Sequence, residues 1–303
     1  MTWQETVVFL GGCLPREIGA LLNQQHEDAV REIRIRAGGR AVLCTSEGES
    51  IGSVCYTPKQ VAQMAEALCE HALYARAEEQ KHGFVTLRGG HRMGLCGRVI
   101  TQGQSVRALK EISSLCIRVA GQWKGAADAL LPYLRDADGN ICSVLLIGQP
   151  GTGKTTLLRD ACRSLSMQGV RMGVVDERSE IAAMCAGEAQ LDVGPHTDVL
   201  DGCCKEQGLR WMLRSMSPHV LVTDELSGAQ DVQAVAEAAC CGVSVMASLH
   251  GRDAESALSR GSLYQLVQNR IFTRYALLSA NGVGRIACIY DEKLRPLTLE
   301  EAV

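Results

Sequence analysis

The sequence predicts an α/β protein in two parts: a parallel sheet covered by helices over residues 137–303, preceded by a smaller α+β N-terminal domain over residues 1–136. Three observations predict it. Gly148-Gln149-Pro150-Gly151-Thr152-Gly153-Lys154-Thr155 is a complete G-x-x-x-x-G-K-T phosphate-binding loop, placed directly after the apolar run of residues 142–147. The second half alternates apolar strands with helical segments, the pattern of a parallel sheet with both faces covered. The first half is strand-rich with one helical insert, and the polar stretch Arg135-Asp136-Ala137-Asp138-Gly139-Asn140 joins the two.

Taken in order, Glu32-Ile33-Arg34-Ile35-Arg36 alternates charged and apolar residues, the period of a half-buried strand. Gly38-Gly39 turns the chain into Ala41-Val42-Leu43-Cys44. Thr57-Pro58 supplies an N-cap and a first-turn proline, and Val61, Met64, Ala65 and Leu68 follow at helical spacing. Phe84-Val85-Thr86-Leu87 and Met93-Gly94-Leu95-Cys96 form a hairpin through Arg88-Gly89-Gly90-His91-Arg92, and residues 114–119 form a further strand. In the second half, strands are expected at 144–147, 172–175, 219–223 and 243–249, and helices at 155–166, 206–216 and 229–240. Residues 275–278, 285–290 and 295–299 are expected to close the sheet.

Composition narrows the function classes. The chain has 303 residues, enough for about two domains. With 31 basic and 34 acidic residues the net charge is −3, so no global field favours nucleic acid or an anionic membrane. Aromatic residues make up 4%, too few for base-stacking platforms. Charge-free stretches such as residues 238–249 fall short of the ~20 apolar residues that span a bilayer. The N-terminus lacks the basic start of a secretory signal, and residues 7–10 are too short for its apolar core. A soluble, cytoplasmic protein is expected. There are 14 cysteines but no Cys-x-x-Cys, and the adjacent pairs Cys203-Cys204 and Cys240-Cys241 lack zinc-ligand spacing. Cys142, Cys162 and Cys288 sit in apolar patterns, so most of the cysteines are expected to be buried, reduced small hydrophobes.

The phosphate loop carries the first chemical expectation. A strand feeding a glycine turn and then a helix aims backbone N–H groups and a helix N-terminus at one point, which binds phosphate. Lys154 then reaches the terminal phosphates, the Thr155 hydroxyl ligates Mg²⁺, and Thr156 completes the binding segment. Val220-Leu221-Val222-Thr223 ends in Asp224-Glu225. An acid there holds Mg²⁺ in phosphate-loop proteins, and the following glutamate is placed to polarise attacking water. The competing reading is a strand-end acid that caps the next helix. Asp176-Glu177-Arg178-Ser179-Glu180 follows Gly173-Val174-Val175, at the strand ends where open α/β sheets bind ligands, although acids also favour helix starts. His250 closes Ala247-Ser248-Leu249-His250 at the same edge, either as a structural histidine or as a donor to the γ-phosphate or the acids. Among the arginines of the first half, mostly solvated strand faces, Arg34, Arg36, Arg88 and Arg92 are the candidates for arginine fingers acting on a neighbouring subunit.

A phosphate loop, an acidic box, an acidic strand end and a Leu-His box in this order resemble the secretion ATPases of type II and type IV pilus systems. More closely, Arg31-Glu32-Ile33-Arg34-Ile35-Arg36-Ala37-Gly38, Gly90-His91-Arg92-Met93-Gly94, Ile112-Ser113-Ser114, Val174-Val175-Asp176-Glu177-Arg178-Ser179-Glu180-Ile181 and Ser215-Met216-Ser217-Pro218 resemble the stage III sporulation protein AA family over nearly the whole chain. The resemblance implies a RecA-like P-loop NTPase core that uses ATP and Mg²⁺. It also implies a homo-oligomer, a hexamer, at the cytoplasmic face of a membrane channel between mother cell and forespore, on the mother-cell side. Membrane protein components of that channel are then its partners, and no nucleic acid is expected. By motif, Asp176, Glu177 and Glu180 take the positions of the acidic box and His250 that of the histidine box. Two departures stand out: Asp224-Glu225 where pilus motors often have Gly-Glu, and Ser227-Gly228 in place of Arg-Asp. The general base is therefore open between Glu225 and an acidic-box residue, with Glu225 favoured because it follows the metal acid. The expected function is an ATP-hydrolysing motor coupled to assembly or transport at the membrane. A RecA-like nucleic-acid translocase and a nucleotide-dependent scaffold with little turnover are the alternatives.

Overall fold

The computed structural model describes residues 1–26, 29–76, 79–80, 83–103, 105–258 and 261–298. By contact it divides into two compact units, Met1–Gly121 with Ala183–Leu191, and Gln122–Ala182 with Asp192–Val303.

The first unit starts with two helices absent from the sequence expectations, α1 (Trp3–Cys13) and α2 (Arg16–Asn23). A Thr2/Glu5 capping box opens α1, which buries Val7 and Leu10. Then come β1 (Val30–Arg36), β2 (Arg40–Thr45), β3 (Glu49–Cys55), α3 (Pro58–Leu68), β4 (Phe84–Thr86), β5 (Arg92–Gln102) and β6 (Ser105–Arg118). The strands form an antiparallel sheet in the order β3-β2-β1-β6-β5-β4. As expected, β1 buries Ile33 and Ile35 and leaves its arginines outward, and Thr57 caps α3 in a capping box with Gln60. The expected hairpin is present, with Phe84 opposite Gly94 and Thr86 opposite Arg92. Strands β5 and β6 run well beyond the expected segments, to a turn at Gly103. The outer half of β5 is mostly exposed, so it carries no burial-driven alternation to detect.

The second unit contains β7 (Val144–Gly148), α4 (Lys154–Met167) and β8 (Met172–Asp176). A short hairpin follows, β9 (Met184–Cys185) with β10 (Glu188–Ala189), which belongs to the first unit. The second unit then resumes with β11 (Thr197–Asp201), α5 (Lys205–Ser215), β12 (Val220–Glu225), α6 (Ala229–Cys240), β13 (Ser244–His250), α7 (Ala254–Leu258), α8 (Tyr264–Gln268), β14 (Arg274–Leu278) and β15 (Ile286–Tyr290). The sheet order is β11-β8-β12-β13-β7-β14-β15, parallel except for β15. Leu145, Ile147, Val175, Leu221 and Val245 are fully buried, which explains the unbroken apolar runs of these strands. β11 was not expected, because only its half-buried Val199 and Leu200 interrupt a polar sequence. The expected strand at 295–299 is not formed over the described residues. One bridge, Tyr290 to Pro296, is all that pairs there, and Leu299 lies outside the described residues. Residues 122–136 pack with this unit, the Ala127 N–H donating to the Asp160 carboxylate at 2.9 Å.

Cysteine burial departs from expectation. Cys69, Cys142 and Cys162 are buried, whereas Cys55, Cys96, Cys204, Cys240 and Cys241 are exposed, chiefly at the strand and helix ends that periodicity locates least well. Among the described residues no helix is long and apolar enough to cross a membrane.

Candidate functional site

Strand β7 ends on Gly148, and α4 begins at Lys154, so residues 149–153 make the whole turn between them. The turn needs glycine. Gly151 and Gly153 have φ of 78° and 91°, and a Cβ on Gly153 would lie 2.6 Å from the Gly284 nitrogen. The Thr152 hydroxyl donates to the Gln149 carbonyl at 2.8 Å and tightens the loop. No side chain caps α4, so its first-turn N–H groups are open to an anion. Thr155 and Thr156 lie in that first turn, half-buried, while Pro150 and Gly151 form an exposed rim.

Lys154 folds back on this loop. Its Nζ donates to the Gly148 and Gln149 carbonyls at 2.8 and 3.1 Å and lies 3.0 Å from His250 Nδ1. Burial lowers its pKa, with Glu225 acting in the opposite direction. Register brings the histidine there: β13 lies beside β7 with His250 opposite Gly148. On the other side of β13, Glu225 of β12 pairs with Ser248, and its carboxylate meets His250 Nε2 at 2.7 Å. A neutral imidazole protonated on Nε2 satisfies both contacts, accepting from Lys154 and donating to Glu225. Lys154, His250 and Glu225 thus form one continuous hydrogen-bonded line across the ends of three adjacent strands.

A second cluster stands beside it. Asp224, 4% exposed, is ion-paired at 3.0 Å with Lys205 Nζ, and Lys205 also pairs with Glu177. Burial pushes the Asp224 pKa up to about 6, and Lys205 offsets part of that rise. Burial alone would lower the Lys205 pKa, but its two acids more than compensate and raise it. The sequence reading missed Lys205. It opens α5, a position where the helix dipole disfavours a cation, and it lines up with Gly208, Leu209 and Met212 on the buried face. A lysine at a buried position of that periodicity was the available signal.

The acidic segment is a loop rather than a helix start. Asp176 is fully buried, and its carboxylate accepts N–H bonds from Glu180, Ile181 and Ala182 at 2.8, 3.0 and 2.8 Å. Arg159 of α4 fastens the same segment, donating to the Ile181 and Glu180 carbonyls at 2.5 and 2.6 Å. Asp176 therefore anchors the segment from within, Glu177 is held by Lys205, and Glu180 lies half-buried in the loop that Asp176 fixes. The four candidate arginines belong to the first unit. There Arg34 is bonded to the Glu32 carboxylate at 2.8 and 2.5 Å, Arg92 stacks 3.4 Å over the Phe84 ring, and Arg36 and Arg88 are exposed.

Known proteins share this architecture. The family model for sporulation stage III, protein AA matches residues 10–297. The stage III sporulation protein AA of Bacillus subtilis (strain 168) is 43% identical over 270 residues, 87% of each chain. Among solved structures, the Legionella pneumophila ATPase DotB superposes with a TM-score of 0.56 at 13% identity, over 91% of this chain and 76% of that one. The pilus retraction motor PilT, solved with bound ADP, gives a TM-score of 0.58 at 17% identity, over 85% of this chain and 76% of that one. At such identities the likeness is one of fold: a RecA-like core preceded by an N-terminal domain, as in secretion and pilus ATPases. The chain belongs to the sporulation stage III protein AA family.

Proposed function

We propose that this protein is an ATPase, the ATP-hydrolysing motor of a secretion-like channel complex in sporulation, coupling hydrolysis to assembly or transport at a membrane. The observation that carries this reading is the line Lys154–His250–Glu225, which links the phosphate loop to a carboxylate two strands away. The loop amides and Lys154 bind the phosphates, and Lys154 exchanges its own loop carbonyls for the terminal phosphate oxygens. Glu225 takes a proton from the attacking water, and His250 fixes that carboxylate and senses whether Lys154 has moved to the phosphates. Catalysis comes from positioning and charge rather than covalent chemistry.

The Thr155 hydroxyl and the Asp224 carboxylate are hard oxygen donors that suit Mg²⁺, and a buried carboxylate with a raised pKa gains from a cation beside it. Mg²⁺ would neutralise phosphate charge there. Glu177 and Glu180 supply further acids at the same strand ends, and Asp176 holds them in place.

Residues 1–121, with 183–191, serve as the partner and subunit-interface domain, and 122–182 with 192–303 as the ATPase domain; the expected boundary at 136 moves because residues 122–136 pack with the second unit. The assembly is a homo-oligomer, a hexamer. An arginine from among Arg34, Arg36, Arg88 and Arg92 completes a neighbour's site. The protein works on the cytoplasmic, mother-cell side, bound to membrane protein components of the channel and not to nucleic acid. The test pairs Glu225→Gln with a mass measurement. The variant should bind ATP with near wild-type affinity yet hydrolyse it at least a hundredfold more slowly, and ATP with Mg²⁺ should drive assembly. Undiminished hydrolysis by Glu225→Gln would remove Glu225 as the base, and a strictly monomeric species would remove the ring motor.

A further inference from the structure

The loop that follows β13 is packed tightly on the end of β7. The Gly251 N–H donates to the Gly148 carbonyl at 3.3 Å, and a Cβ on Gly251 would lie 2.5 Å from the Ala257 Cβ and 3.0 Å from the Ile147 Cγ2. Glycine at 251 is what lets the two loops approach so closely. Between them opens a cavity of about 330 Å³, lined by Gln149 and Pro150 on one side and by His250, Arg252 and Asp253 on the other. Lys154 marks this as the terminal-phosphate end of the loop, because its Nζ bonds the Gln149 carbonyl and lies 3.0 Å from His250 Nδ1.

Other cations of the second unit near these strand ends are already engaged. Lys205 pairs with Asp224 and Glu177, and Arg159 donates to the Ile181 and Glu180 carbonyls. The segment after Glu225, Leu226-Ser227-Gly228, carries no cation, and Ser227 is bonded to Asp231 of α6. Arg252 is different. It is exposed, lines the cavity, and has no hydrogen bond or ion pair among the described residues. The adjacent Asp253 does not hold it by a bond, since that carboxylate accepts the Ser256 N–H at 2.7 Å in the first turn of α7.

We propose that Arg252 is a ligand of the γ-phosphate in its own chain's site. When a triphosphate fills the loop, the guanidinium turns into the cavity and donates to the terminal phosphoryl oxygens beside Lys154. Phosphoryl transfer spreads charge over those oxygens, and a planar fork of N–H donors suits them. The inference rests on nucleotide binding at the phosphate loop, and it is separate from the first-unit arginines that act on a neighbour's site. A contact made to the γ-phosphate alone separates a triphosphate from a diphosphate.

The test is titration calorimetry on the full chain with Mg²⁺, comparing the non-hydrolysable triphosphate AMP-PNP with ADP. Arg252→Ala should weaken AMP-PNP about tenfold or more, the fold-change of one lost charge-assisted hydrogen bond, and leave ADP affinity unchanged. Arg252→Lys, which keeps the charge and loses the fork, should fall between the two in AMP-PNP affinity and in phosphate release. Retained ADP binding also reports a folded loop. Equal AMP-PNP affinity in Arg252→Ala and wild type overturns the proposal. So does a parallel loss of both ligands, which would mean that Arg252 shapes the loop without touching the γ-phosphate. A wild-type protein that binds neither ligand overturns nucleotide binding at the loop itself, and the proposal with it.

Discussion

Lys205→Met tests whether the second cluster is held together as its geometry implies. Methionine keeps the length of the side chain and removes the charge that Asp224 and Glu177 share. Asp224 is only 4% exposed, whereas Glu177 is partly exposed and can rehydrate. Removing one partner of a buried pair costs about 3–5 kcal/mol, and with Glu177 able to relax the lower end, about 3 kcal/mol, applies. For a domain of this class that is roughly a 6–12 °C fall in melting temperature. The sign of the pH dependence follows from the Asp224 carboxyl, already raised to about 6 by burial with Lys205 present to oppose the rise. Without Lys205 the folded-state value climbs further above the unfolded one. The destabilising buried charge is then fully present well above that value and is relieved as the pH falls through it. Thermal unfolding followed by circular dichroism at pH 8 and pH 5 should show a larger deficit at pH 8, and adding Asp224→Asn to Lys205→Met should restore most of it. An equal deficit at both pH values, or no rescue by the second substitution, refutes the reasoning.

Asp176→Asn should destabilise by about 2–3 kcal/mol in denaturant titration, because an amide offers one acceptor oxygen where the carboxylate serves three N–H donors. Gly153→Ala puts a methyl group 2.6 Å from the Gly284 nitrogen at a φ of 91°, so ATP affinity should drop more than tenfold in calorimetry while far-ultraviolet dichroism stays near wild type. His250→Ala cuts the line from Lys154 to Glu225; hydrolysis should fall about a hundredfold in a phosphate-release assay with ATP affinity within a few-fold. Asp224 attracts a cation only when ionised, so the gain in nucleotide affinity from Mg²⁺ over EDTA should be present at pH 8 and lost as the pH falls through about 6.

The parts of the fold that bury apolar surface were legible. β7, β8, β12 and β13 are continuous apolar runs because both sheet faces are covered, and the helix expected at 229–240 is α6 with the same bounds. What escaped is what solvent or a partner residue decides. The outer halves of β5 and β6 and the polar β11 have no burial pattern to read. α1 carries its helix signal in the Thr2/Glu5 capping box, while its glycine-containing, weakly amphipathic sequence gives little periodicity to read. At the site, the placement of His250 at the sheet edge that carries the acids was legible from the end of its apolar strand. The pairing of Asp224 with Lys205 was not, because it depends on how the first turn of α5 meets the ends of β8 and β12. The burial of Asp176 was likewise invisible, since a carboxylate that caps three backbone N–H groups looks in sequence like one that awaits a ligand.

Steady-state phosphate release by the purified protein reports directly whether ATP is hydrolysed at the loop beneath Lys154. Mg²⁺-dependent release is expected from the wild-type protein, and at least a hundredfold less from Lys154→Ala, whose loop has lost the ammonium that now donates to the Gly148 and Gln149 carbonyls. Release that Lys154→Ala leaves unchanged, or no release from a folded and assembled wild-type protein, would contradict hydrolysis at this loop.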